Sequence, residues 1–147
     1  MTEENVTKKI LAWLTANRWA IVCYDFPQSG TGVFLHPNDS TEKNKDTVNP
    51  DIVAVRGNTA VFFENKSYFY YQDYKKVEEL RTSDRYSNAI DSLLKNYSVN
   101  TIYYGIGYPK EVHKKKAQNS VGMVDFVIGV EESGTIEILY SMPANIF

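Results

Sequence analysis

Apolar and polar positions along this chain fall into blocks whose period changes. In "TEENVTKKILAWLTANR", Val6, Ile10, Trp13 and Leu14 recur at helical spacing. They follow Thr2, a good N-cap, and two acids that suit the positive end of a helix dipole. "WAIVCYDF" is a short apolar run ended by "PQSGTG", and it predicts a strand. "HPNDSTEKNKDTVN" has no period and almost no apolar residues, so it predicts a long loop, of the kind compact domains keep for function or leave disordered. Two apolar runs, "DIVAVR" and "TAVFFEN", are then joined by Gly57-Asn58, a pair favoured in two-residue hairpin turns. Helical spacing returns at Val77, Leu80, Tyr86, Ile90, Leu93 and Leu94, with a break near "RTSD" where a second helix can be capped. "NTIYYGIGYP" predicts a strand, "KEVHKKKAQNSVG" a basic loop or short helix, and "MVDFVIGVEESGTIEILYS" a closing hairpin turned at Ser133-Gly134. The order α-β-β-β-α-β plus a C-terminal β-hairpin predicts one α/β domain over 1–147, a mixed β-sheet flanked by helices.

The hairpin centred on Gly57-Asn58 fixes a register. Arg56 faces Thr59, Val53 faces Phe62, and Asp51 faces Glu64. Side chains alternate along a strand, so Asp51, Glu64 and Lys66 fall on one face. Directly opposed residues have Cβ atoms ~5 Å apart. Two carboxylates at that distance repel by about 3 kcal/mol at an effective dielectric of 20. That is a large share of a domain's ~5–15 kcal/mol of stability, so something must offset it. Lys66 offsets part. A divalent cation would offset more, and Mg²⁺ is commonly held by one or two carboxylates together with waters and a substrate phosphate. A lysine beside it could align or deprotonate a water, or neutralise charge in a transition state.

Composition narrows the classes. The chain has 147 residues, the size of one ordinary domain. Its net charge is -2, so affinity for an anionic polymer has to come from a local basic patch. Cys23 is the only cysteine, which excludes an intramolecular disulfide and a cysteine-based metal site. The apolar runs fall far short of the ~20 residues that span a bilayer. "MTEENVTKK" lacks the apolar stretch of a signal peptide, so the expected location is cytoplasmic, with no membrane partner.

Pro50-Asp51, a gap, then Glu64-Asn65-Lys66, with the first motif opening one strand, the second closing its neighbour and helices before and after, resembles the PD-(D/E)XK nuclease superfamily. The likeness covers Thr2 to about Tyr108. The resemblance implies a restriction-endonuclease-like core and a Mg²⁺-dependent DNA endonuclease that leaves 5′-phosphate and 3′-hydroxyl ends, with Mn²⁺ able to substitute. It implies Asp51 and Glu64 as metal ligands, the main-chain carbonyl of Asn65 as a further ligand, and Lys66 as the catalytic lysine. Many members add a glutamate from the first helix; Glu3 and Glu4 are both available, and Glu3, on the Val6–Ile10 face, is the favoured candidate. "QSGTG" resembles the branch of Holliday-junction resolvases, where a small hydroxyl residue approaches the phosphate, which points to Ser29. Gln72 stands where such nucleases often place a polar site residue.

Lys75, Lys76, Arg81, Arg85, Lys114, Lys115 and Lys116 are the candidate DNA contacts. "SYFYYQDY" suggests aromatics packed against the second helix, with stacking on splayed bases as the other reading. Asp125, in an apolar strand, suggests a hydrogen-bonded structural role. Symmetric cutting of two strands favours a homodimer. Within the same class a structure-selective nuclease such as a junction resolvase is the alternative. Outside it, the alternative is a non-catalytic nucleic-acid-binding or assembly module that retains the fold.

Overall fold

In the computed structural model, residues 1–39, 46–68, 70–111 and 122–147 are described. Helix α1 spans Glu3–Ala16, and the Thr2 hydroxyl caps it by accepting from the Asn5 amide at 3.1 Å. It stops where Arg18 turns into the left-handed region at φ 68. Strands β1 (Ala20–Tyr24), β2 (Ile52–Arg56) and β3 (Thr59–Asn65) follow. Helix α2 (Tyr71–Thr82) ends at Ser83, whose hydroxyl caps a 3-10 turn over Asp84–Tyr86 before α3 (Ser87–Leu94). The helical stretch is therefore two helices, broken at "RTSD" where the sequence offers a second cap. Strands β4 (Thr101–Pro109), β5 (Phe126–Val130) and β6 (Ile136–Ser141) complete the chain. Among the described residues no helix is long and apolar enough to cross a membrane.

The six strands form one mixed sheet in the order β1-β2-β3-β4-β5-β6. β3, β4 and β5 run parallel; the other neighbours are antiparallel. The β2–β3 register is the one the turn dictates, from Arg56↔Thr59 to Ile52↔Phe63. The ladder stops one residue short of Asp51 and Glu64.

Helices cover both faces. Val6, Ile10 and Leu14 of α1 bury against Ile52, Ala54, Val61, Phe63, Phe126 and Ile128. On the other face Tyr74, Val77 and Leu80 of α2, with Ile90 and Leu94 of α3, pack on Val53, Val55, Phe62, Tyr104 and Ile106. The strict alternation of β2 and β3 between these two layers sends Phe62 and Glu64 toward α2, and Phe63 and Asn65 toward α1.

Strand β4 needs glycine at its centre. A Cβ on Gly105 would lie 2.2 Å from the Phe126 ring and 2.4 Å from the Phe126 carbonyl oxygen. A ring can turn, but the backbone oxygen of a neighbouring strand cannot. Gly105→Ala is expected to cost about 1–3 kcal/mol as overpacking and to lower the melting temperature by roughly 2–10 °C. An unchanged melting curve would mean that β4 and β5 are not packed as described.

Candidate active site

The carboxyl ends of β3 and β4 lie side by side, and the N-terminal turns of α1 and α2 approach them from opposite faces. Glu3 is in the first turn of α1 and Asp73 in the first turn of α2. Ligand sites in open α/β sheets favour this end of parallel strands. The positive ends of two helix dipoles face the acids gathered here, which offsets part of their mutual repulsion.

Lys66 sits at the centre. Its Nζ lies 3.1 Å from Glu64, 3.8 Å from Glu3 and 3.9 Å from Asp73. Burial works to lower the lysine's proton affinity. Glu64, then Glu3 and Asp73, outweigh it and hold the ammonium above its ordinary value. Lys66 is thus charged throughout the neutral range.

Asp51 immediately precedes β2 but is not simply the next rung. Its amide donates to the Phe63 carbonyl at 2.9 Å, and its Oδ2 accepts the Asn65 amide at 2.6 Å. A side chain therefore closes the end of the ladder where a main-chain carbonyl would otherwise do so. Burial, then the Glu64 charge, pushes the Asp51 carboxyl up to about 8. Burial also raises Glu64, against the opposing pull of Lys66 and Lys76. The expected crowding of two acids and one ammonium is present.

Asn65, between the two charged residues, turns to the α1 layer. It is fully buried, donates from Nδ2 to the Thr7 hydroxyl at 3.1 Å, and leaves Oδ1 without a hydrogen-bond partner. A Cβ at position 107 would stand 2.6 Å from that oxygen and 2.4 Å from Ile10, so Gly107 is what lets α1 and Asn65 close on the sheet. The side chain of Asn65 is structural; any ligand role falls to its main-chain carbonyl.

Sequence reasoning missed Asp73. It singled out Gln72, but that side chain is exposed, whereas Asp73 is buried, faces Lys66 and has an Oδ2 with no hydrogen-bond partner. The available signal was an acid in a helix's first turn directly after the Glu-x-Lys strand. Ser29 lies in a turn network: its Oγ donates to Asp25 at 3.0 Å. Asp25 also accepts from the Asn49 side chain at 2.6 Å, and its amide donates to the Asp51 carbonyl at 2.9 Å. Ser29 thus braces the segment behind Asp51.

The basic residues separate. Arg81 is committed to the fold, donating to Asp125 at 2.9 Å and to the Gly122 carbonyl at 3.0 Å. Asp125 also accepts the Tyr104 amide at 2.9 Å, the structural role expected for it. Arg85 pairs with Asp46 at 2.7 Å and lies near Glu79 and Asp39. Lys75 and Lys76 are exposed. A cleft of about 340 Å³ adjoins Glu64 on the α2 face, with Lys76, Arg85, Asn49 and Pro50 on its walls. Lys114, Lys115 and Lys116 lie outside the described residues. The aromatic segment departs from the packing expected of it: Tyr74 is fully buried, but Tyr68, Tyr70 and Tyr71 are exposed.

Among the described residues no group of three or more His, Cys, Asp or Glu is arranged to hold a metal ion unaided. Two carboxylates beside a lysine are a different donor set, suited to a cation that takes its remaining oxygens from water and substrate. No family model matches the chain, and no curated protein or solved structure matches it either.

Proposed function

We propose that this chain is a Mg²⁺-dependent DNA endonuclease that hydrolyses phosphodiester bonds to 5′-phosphate and 3′-hydroxyl ends. The observation that carries the reading is the convergence on Lys66 of Glu64, Glu3 and Asp73, beside an Asp51 whose carboxyl is held up at about 8. Acids forced together at the end of a sheet, around a charged lysine, favour a site for a cation and a phosphate over a purely structural ion pair.

The residues fit such a cation. Asp51 and Glu64 offer hard oxygen donors, and the main-chain carbonyl of Asn65 is a further oxygen between them. When bound there, Mg²⁺ or Mn²⁺ supplies positive charge to the phosphate and to the leaving oxygen. Lys66 carries the other fixed positive charge. With three carboxylates keeping it protonated, it neutralises charge growing on the phosphate oxygens and orients the incoming water. That charge disfavours Lys66 as a base in the resting site. Lys76, close enough to Glu64 to lower its proton affinity, extends the positive rim toward the cleft. Symmetric cutting of two strands, in a duplex or at a four-way junction, requires two copies of the site, so a twofold dimer belongs to the proposal.

The test is incubation of the purified protein with duplex, single-stranded and four-way-junction DNA, with Mg²⁺ or Mn²⁺ and with a chelator. Metal-dependent cleavage is expected, with ends that a ligase can rejoin directly. No cleavage of any substrate with either metal would sink the reading.

A further inference from the structure

Between Lys66 and the first residue of α2, that residue included, the chain presents three tyrosines to solvent. Tyr68, Tyr70 and Tyr71 are 50%, 52% and 50% exposed, and none of them belongs to either core cluster. The reason lies in α2, whose inward stripe is filled by Tyr74, Val77 and Leu80, leaving the aromatics just before and at its start unburied. The Tyr68 and Tyr70 rings stand 4.8 Å apart and tilted by 59°. The Lys75 ammonium lies 5.7 Å over the Tyr71 ring. The patch borders the candidate active site: Tyr68 follows Lys66 by two residues, and Tyr71 precedes by two the Asp73 that faces Lys66 from the first turn of α2.

We propose that Tyr68, Tyr70 and Tyr71 form a stacking platform for an unpaired nucleobase next to the scissile phosphate. The substrate is then a polynucleotide with unstacked bases at the point of cleavage, not a continuous duplex. This rests on the phosphodiesterase reading of the adjoining site. In a regular duplex both faces of each base are covered by its neighbours, so an aromatic platform has nothing to stack on. In a single strand or a distorted junction the face is free. Exposed aromatic rings beside cations are the composition of grooves that bind single strands, and tyrosine combines an apolar ring with a polar tip that tolerates water. Lys75 and Lys76 supply the positive charge that the backbone of such a strand needs, in a protein whose net charge of -2 supplies none globally.

The experiment compares the wild type with two variants. One carries Tyr68→Phe, Tyr70→Phe and Tyr71→Phe together; the other carries leucine at the same three positions. Phenylalanine keeps the stacking face, and leucine keeps only apolar bulk. All three sites are exposed, so both variants are expected to fold, which a melting curve checks. Binding to a fluorescent single-stranded oligodeoxynucleotide, and to the same sequence as a duplex, is measured in Ca²⁺, and cleavage is measured in Mg²⁺. The leucine variant is expected to lose about 5- to 150-fold in single-strand affinity for each stacked base, with duplex affinity unchanged and the phenylalanine variant close to wild type. Single-strand binding by the leucine variant equal to wild type would overturn the platform. So would equal losses on single strand and duplex, or the loss of a self-associated form that points to contact between copies. A wild type that cleaves DNA while the leucine variant cleaves every substrate equally well removes the platform alone. A wild type that neither binds nor cleaves any DNA removes the phosphodiesterase reading and this inference with it.

Discussion

Lys66→Ala is expected to reduce cleavage by about 10²–10⁴-fold, the range over which one positioned charge or proton-handling group contributes. The geometry makes this variant informative. Among the described residues Lys66 is the only cation within 4 Å of Glu64, Glu3 and Asp73 together, so its removal takes the fixed positive charge away from the phosphate position while leaving the proposed ligands in place. The apo protein should melt lower, because three acids lose their shared partner. The stabilisation by Mn²⁺ should persist, since Asp51 and Glu64 remain. Cleavage within about tenfold of wild type would remove Lys66 from the chemistry. Loss of cleavage together with loss of the Mn²⁺ shift would instead make Lys66 an organiser of the ligands.

Asp51→Asn should have the opposite effect on the protein without metal. Burial and Glu64 raise the Asp51 carboxyl to about 8, while an unfolded aspartate titrates near 4. Between those limits the folded chain holds a proton that the unfolded chain has released, so wild-type stability falls as pH rises through that window. An asparagine has no such slope and keeps one oxygen to accept the Asn65 amide. The variant should therefore melt higher than wild type above about pH 8, by roughly 1–3 kcal/mol or 2–10 °C, and the difference should shrink to nothing toward about pH 4. Metal reverses the order. A ligand at 100 times its dissociation constant adds about 2.7 kcal/mol to wild type, and the variant, lacking one ligand, should gain little. Melting scans across pH, with and without Mn²⁺, decide the matter. A parallel pH dependence in both proteins, or equal metal shifts, would place the strain and the metal elsewhere.

The parts of the fold that rest on local rules were readable from the sequence. Thr2 caps α1 because its hydroxyl needs only the amide three residues on. Gly57-Asn58 sets the β2–β3 register because a two-residue turn leaves one choice, and that register brings Asp51, Glu64 and Lys66 together. The parallel run of β3, β4 and β5 is another matter. α2 and α3 carry the chain from β3 back to run parallel in β4, and a single sequence does not state strand order.

The site shows the same division. Asp73 looks like an ordinary solvated acid at a helix start, and only the seating of α2 against the end of β3 buries it. Arg81 looks like a DNA contact, but its partner Asp125 lies 44 residues further on, beyond any local pattern. The tyrosines mislead for the converse reason. Aromatic residues in a run suggest core, yet a helix has one inward stripe, and Tyr74 with Val77 and Leu80 had already filled it.

The Asp51–Asn65 contact gives the protein a built-in reporter. The Asn65 N–H donates to a carboxylate oxygen where a main-chain carbonyl would stand in an unbroken ladder. Its electronic environment therefore follows the occupancy of Asp51. A proton or a cation withdraws electron density from that oxygen, weakens the bond and shifts the amide resonance. Because the Asn65 side chain is packed out of contact with solvent against Thr7, that resonance responds to the carboxylate and not to bulk water. One backbone signal in a nuclear magnetic resonance spectrum thus registers the state of the whole cluster, with no label attached to any reacting group.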